Sequence, residues 1–115
     1  MIAITGATGF IGKFVISNLK DRKIPFFCIA REKSDISYIK QLGIEIKIAD
    51  ITHYDSLKGS LRGANSVIHM AALLKSNDIK ELEKVNIEGT KNIVKACESL
   101  RIKRIIFTSS DNAKG

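Results

Sequence analysis

Nowhere in this chain does one strand-like run follow another without a helical segment between them. Ile2 to Thr5 is a short apolar run, and from Phe10 to about Arg22 the residues Ile11, Phe14, Val15 and Leu19 recur at helical spacing. Pro25 breaks the chain, and Phe26 to Ala30 forms the second run. Ser34 stands where a cap is expected for a helix reaching Leu42, which Gly43 ends. Ile44, Ile46 and Ile48 alternate in a third run that finishes at Ala49-Asp50. Thr52 and Asp55 have capping-box spacing for a short helix through Arg62, closed by Gly63. Asn65 to Met70 is the fourth run. After a loop to Asn77, Asp78 and Glu81 open a long helix to about Leu100, and Lys103 to Thr108 is the fifth run. Strands that alternate with helices are joined by crossovers. The expected fold is therefore α/β, a doubly wound parallel sheet of five strands in the order 3-2-1-4-5 with helices on both faces. In such a sheet the ligand crevice opens between strands one and four, at their carboxyl ends.

Thr5-Gly6-Ala7-Thr8-Gly9-Phe10-Ile11-Gly12 joins the first strand to the first helix at that crevice. Gly6 lets the strand turn sharply, Gly9 lets a phosphate approach bare backbone, and Gly12 lets the helix lie close on the strand. The N–H groups around Gly9, Phe10 and Ile11 then face a bound anion, with the positive end of the helix dipole behind them. This is the pattern that takes the pyrophosphate of a dinucleotide.

With 115 residues, 44% of them apolar, the chain has the size and the core of one domain. Met1 lies almost inside the first strand and leaves no room for a signal peptide ahead of it, and the apolar run Ile24 to Ala30 is too short to cross a bilayer. Cys28 and Cys97 have neither metal-site nor redox-motif spacing and read as reduced core thiols, so no metal and a cytoplasmic location are expected. The formal net charge of +7 permits nucleic-acid binding. Its basic residues, though, are scattered along helices and at their carboxyl-terminal ends (Lys20, Arg22 and Lys23 end the first, Arg101, Lys103 and Arg104 follow the last). Cations there complement helix dipoles, so neither a nucleic acid nor a membrane is expected as partner.

Five motifs fall in one order: TGATGFIG at 5–12, Asp50-Ile51 after strand three, His69-Met70-Ala71-Ala72 after strand four, Val85-Asn86-Ile87-Glu88-Gly89-Thr90 in the long helix, and Phe107-Thr108-Ser109-Ser110 at the end of strand five. In this the chain resembles the extended branch of the short-chain dehydrogenase/reductase superfamily, the NAD-dependent epimerase/dehydratase type, over its whole length. The resemblance implies an NAD(P)-binding Rossmann domain over 1–115, its cofactor held by Gly6, Thr8, Gly9, Phe10, Ile11 and Gly12. It implies that the Asp50 carboxylate accepts a hydrogen bond from the adenine amine while the Ile51 N–H serves a ring nitrogen. By itself Asp50 reads equally well as the start of a turn before Thr52. Ala71 and Ala72 are small enough for the backbone to approach the cofactor ribose, and small enough simply to pack.

Arg31 bears on which cofactor is taken. An NAD site usually places an acid near the end of strand two, where it bonds the ribose 2′-OH. Here Ala30 stands there and Arg31 follows, a guanidinium with paired donors that suit a 2′-phosphate. NADP is expected in preference to NAD, which stays possible because Glu32 can hold a 2′-OH. The resemblance further implies that Asn86 supports a proton-relay water and that Ser110 bonds the substrate oxygen. A tyrosine acidified by a lysine four residues later completes the family's set. Tyr54 and Lys58 have that spacing, but they fall after strand three, whereas the family's pair follows strand five. The expected reading is the cofactor-binding part of an oxidoreductase, acting on a nucleotide-sugar-like or related carbonyl/hydroxyl substrate, that binds cofactor without turnover. A non-catalytic NADP-binding sensor or interaction module is the alternative. Strand five as a sheet edge, and Leu82, Val85, Ile93 and Val94 as exposed positions of the long helix, imply a homo-oligomer or a complementary chain.

Overall fold

The computed structural model describes residues 1–7, 10–32, 35–70 and 79–108, and for Phe10, Ile79 and residues 81–85 it describes the backbone. Its elements alternate as β1 (Ile2–Thr5), α1 (Phe10–Asp21), β2 (Phe26–Ala30), α2 (Ser37–Gln41), β3 (Ile46–Ile48), α3 (Tyr54–Leu61), β4 (Ser66–Met70), α4 (Ile79–Leu100) and β5 (Arg104–Thr108). All four strand pairings are parallel, and the sheet order is β3-β2-β1-β4-β5. β1, the first strand made, lies at the centre. Ile2 to Thr5 pair with Phe26 to Ile29 on one side and with Ser66 to His69 on the other.

The alternation of side chains along each strand divides the core in two. On one face Ala3, Phe27, Ile29, Ala49 and Val67 meet Leu57 and Leu61 of α3 and Ile93, Ala96 and Cys97 of α4. On the other, Ile4, Cys28 and Met70 meet Ile16 of α1 and Ile39 of α2. Cys28 and Cys97 are both free and buried, and burial pushes the Cys28 thiol up to about 12.

Local chemistry moved several element ends. α2 starts at Ser37, because the Asp35 carboxylate takes the Ser37 N–H and hydroxyl at 3.1 and 2.7 Å in a turn of its own; the expected cap, Ser34, lies outside the described residues. β3 begins at Ile46, since Ile44 is held in the close of α2, its N–H on the Ile39 carbonyl behind Gly43 at φ +73°. The same closing geometry ends α1 at Lys23 (φ +58°) and α4 at Arg101 (φ +61°), two positions without glycine. Thr52 does not cap α3: its hydroxyl turns back to Asp50, and the residue before the helix is His53. Ile93 is fully buried rather than exposed, while Val94 is 36% exposed; Leu82 and Val85 lie outside the described side chains.

Candidate functional site: the crevice between β1 and β4

Two glycines show why the turn after β1 has its sequence. Gly6 has φ +78°, and a Cβ there would overlap the Met70 carbonyl at the end of β4. A Cβ on Gly12 would sit 2.6 Å from the backbone of Ala7. The first turn of α1 is thus pressed onto the end of β1, and that end is pressed against β4. The N–H groups of a first helical turn have no acceptor within the helix. No acidic side chain occupies the first turn of α1, so no carboxylate within that turn answers the positive end of its dipole. Both glycines thus serve backbone-on-backbone packing, which sets where the first turn of α1 stands relative to β1 and β4. Phe10, Ile11 and Gly12 belong to that first turn, with Ile11 exposed, while Thr8 and Gly9 lie outside the described residues.

The floor of the crevice is tied by a histidine that the sequence reading used only as part of a motif. His69, in β4, is buried, and its Nδ1 lies 2.6 Å from Thr5 Oγ1 at the end of β1. Its Nε2 is 3.4 Å from Thr90 Oγ1 on α4, and Phe107 of β5 meets its ring edge-on at 6.0 Å. Burial pushes the imidazole below its ordinary pKa, so the ring is neutral. The short contact fits donation by the Thr5 hydroxyl to Nδ1, which puts the ring proton on Nε2 toward Thr90. One side chain thereby joins β1, β4, β5 and α4 beneath the crevice. Asn86, half-buried, precedes Thr90 by four residues and shares its face of α4.

At the β3 side, Asp50 is the start of a turn. Its Oδ1 accepts the Thr52 N–H at 2.9 Å and the Thr52 hydroxyl at 2.6 Å, and His53 Nδ1 lies 3.2 Å from Oδ2. The Thr52 hydroxyl bond holds the carboxyl below the usual carboxylate range, so Asp50 is ionised. Oδ2 is the oxygen with acceptor capacity to spare. Ile51 follows, its carbonyl taking a 2.8 Å bond from Asn92 Nδ2 of α4.

Arg31 directly follows β2, is exposed, and has no ion-pair partner among the described residues. Glu32 beside it is exposed too. Ala30 is buried and pairs with Ile48, so no acid stands at that strand end. Ala71, Ala72 and Ser110 lie outside the described residues, whereas the strand ends before them, Met70 and Thr108, are paired. Tyr54 packs against α4 with Lys95 Nζ 4.7 Å from its ring centroid. Lys95 is nine residues beyond Asn86, roughly 13 Å along a helix, so the Tyr54–Lys58 pair is remote from Asn86. Among the described residues there is no cluster able to hold a metal ion, and no helix long and apolar enough to cross a membrane.

A parallel 3-2-1-4-5 sheet, a glycine turn leading into a close-packed first helix and a crevice between β1 and β4 define an α/β domain of the Rossmann type. Within that class the chain belongs to the 3-beta hydroxysteroid dehydrogenase/isomerase family, whose pattern matches residues 3–115. It is 36% identical over 121 residues to a 3 beta-hydroxysteroid dehydrogenase/Delta 5-->4-isomerase of Monkeypox virus, a match covering 98% of this chain and 34% of that one. The crystal structure of gox2253 superposes with a TM-score of 0.89 at 33% identity, covering 100% of this chain and 36% of that one. Triphenylmethane reductase from Citrobacter sp., solved with NADP(H), superposes with a TM-score of 0.74 at 28% identity over 99% of this chain and 39% of that one. The chain thus spans about a third of the length of the relatives it matches.

Proposed function

We propose that these residues hold NADP(H) for an oxidoreductase acting on a carbonyl or hydroxyl substrate, of the nucleotide-sugar or a related kind. The first turn of α1 carries the reading: its N–H groups have no acceptor within the helix, no acidic side chain in that turn answers its dipole, and Gly6 and Gly12 let it stand close on the ends of β1 and β4. In that reading the pyrophosphate lies on the turn from Gly6 through Thr8 and Gly9 to Gly12, under the N–H groups of Phe10 and Ile11. Arg31 takes the 2′-phosphate, Asp50 Oδ2 and the Ile51 N–H take the adenine, and Ala71 and Ala72 pass beside the ribose. When bound, the nicotinamide supplies the hydride acceptor or donor. Asn86 holds a water for proton relay and Ser110 bonds the substrate oxygen. The general acid/base of such a reaction, a tyrosine with a lysine four residues on, is not supplied by Tyr54 and Lys58, so these 115 residues alone bind cofactor without turnover. The buried free thiols of Cys28 and Cys97 fit a reducing, cytoplasmic setting.

Titration calorimetry with NADPH and NADH tests the reading. The chain binds NADPH more tightly, and Arg31→Ala removes most of that preference while leaving NADH affinity in place. Equal affinities in the wild type, or an undiminished preference in Arg31→Ala, overturn the NADP assignment. Gly9→Val abolishes binding of both, because a branched side chain occupies phosphate space.

A further inference from the structure

Asp50 and Ile51 sit in a loop, and loops do not by themselves hold a base-reading geometry. Here the loop is held from both sides. Within the loop, Oδ1 of Asp50 is committed to the Thr52 N–H and hydroxyl, and the His53 N–H closes on the Asp50 carbonyl at 2.9 Å. From across the fold, Asn92 Nδ2 donates to the Ile51 carbonyl at 2.8 Å, over a separation of 41 residues. Three residues earlier on α4, buried Gly89 leaves the space that the Ile51 side chain enters; a Cβ there would overlap Ile51 Cδ1. Ile51 is itself packed against the core beneath α3 and α4.

We propose that Asn92, with Gly89 opening the space beside it, is the positioning residue for base recognition: it fixes the Asp50–Ile51 segment so that Asp50 Oδ2 faces the exocyclic amine of the base. The proposal rests on the dinucleotide reading above. The carboxamide pulls on the carbonyl of Ile51 and so sets the plane of the Ile51–Thr52 peptide. Thr52, at the far end of that plane, is the residue that holds Oδ1. With one oxygen of Asp50 spoken for, a base offering an N–H toward Oδ2 is accepted. A base offering a carbonyl oxygen there meets an ionised carboxylate.

The test compares NADH with its hypoxanthine analogue, in which an oxygen replaces the amine and the neighbouring ring nitrogen becomes an N–H, so that both contacts offered by the Asp50–Ile51 segment are lost. Dissociation constants are measured on the wild type, Asn92→Ala and Asn92→Asp. The second variant keeps the shape of asparagine but loses the donor. The wild type prefers NADH by roughly tenfold or more, the scale of one hydrogen bond to a charged acceptor. Both variants lose most of that preference, chiefly through weaker NADH binding, with the analogue's affinity nearly unchanged. A general loss of stability would weaken both ligands together and leave their ratio intact; that result, or an unchanged preference in Asn92→Asp, overturns the role of Asn92. A wild type that binds neither dinucleotide overturns instead the cofactor reading on which the role depends.

Discussion

Gly12→Ala and Gly59→Ala are the same chemical change in two helices, and the structure assigns them opposite signs. At Gly12 the new Cβ would meet the Cα, C and O of Ala7 at 2.6 Å, all of them backbone. Ordinary carbon contacts lie at about 3.5–4.0 Å, so the first turn of α1 has to lift by roughly 1 Å. Overpacking of this kind costs about 1–3 kcal/mol. At Gly59, in α3, nothing lies within 4 Å of the added Cβ. There the helix gains about 1 kcal/mol from alanine's better propensity. The two variants therefore differ by roughly 2–4 kcal/mol. Urea denaturation followed by circular dichroism reads this directly. With a slope of roughly 1–3 kcal/mol per molar, the midpoint falls by about 1 M for Gly12→Ala and rises by about half that for Gly59→Ala. Because in the proposed reading the lifted turn also carries the N–H groups offered to the pyrophosphate, Gly12→Ala is expected to weaken dinucleotide binding further. Losing one charge-assisted bond of about 1.5–3 kcal/mol is a factor of roughly 10–100. Gly59→Ala leaves affinity alone. If both substitutions shift the midpoint the same way, or if Gly12→Ala binds as the wild type does, the close packing of α1 on Ala7 is not what the glycine is for.

Two further outcomes follow from the sheet. Burial places the folded pKa of His69 below that of the unfolded chain, about 6.5, so its contribution is complete above that pH and is lost as the pH falls below it. The urea midpoint of the wild type therefore drops between pH 7.5 and pH 5 by more than that of His69→Gln; parallel profiles would show that the histidine is not buried neutral. β5 forms one edge of the sheet, with Ile106 47% and Phe107 50% exposed, and Ile87 and Val94 are exposed on α4. If self-association covers these, light scattering coupled to size exclusion gives more than a monomer at micromolar concentration; a monomer with a concentration-independent melting temperature refutes it.

Strand order and the two-faced core were legible because they depend on period alone: apolar runs separated by helical stripes leave few topologies. What sequence did not show were choices between near partners and contacts between distant ones. Thr52 had a helix N–H and the Asp50 carboxylate within reach, and only the fold shows that the carboxylate takes it. Lys23 and Arg101 occupy the left-handed position at which glycine is the usual signal, so nothing in the residue type announced it. Ile93 and Val94 are neighbours with similar side chains, yet one is buried and the other exposed, a matter of which side of α4 meets the sheet. Around the candidate site, the sharp turn at Gly6 and the close packing at Gly12 were legible in the glycine motif. Asn92 and the Thr5–His69–Thr90 link were not, since their partners lie 41, 64 and 21 residues away and neither end has a distinctive spacing.

The placement of β1 has a consequence for how the molecule comes together. β1 finds β2 about 24 positions along the chain, but its other neighbour, β4, is 64 positions away. Local pairing is the faster event, so β1, β2 and β3 can assemble as one piece that shows an open flank until β4 arrives. The crevice proposed for the dinucleotide is that flank's closing line. A ligand seated there touches both the early piece and the late one, and so acts as a clasp. It slows the parting of β1 from β4 more than the fraying of β2 from β3, an asymmetry that amide hydrogen exchange in the two strand pairs would display.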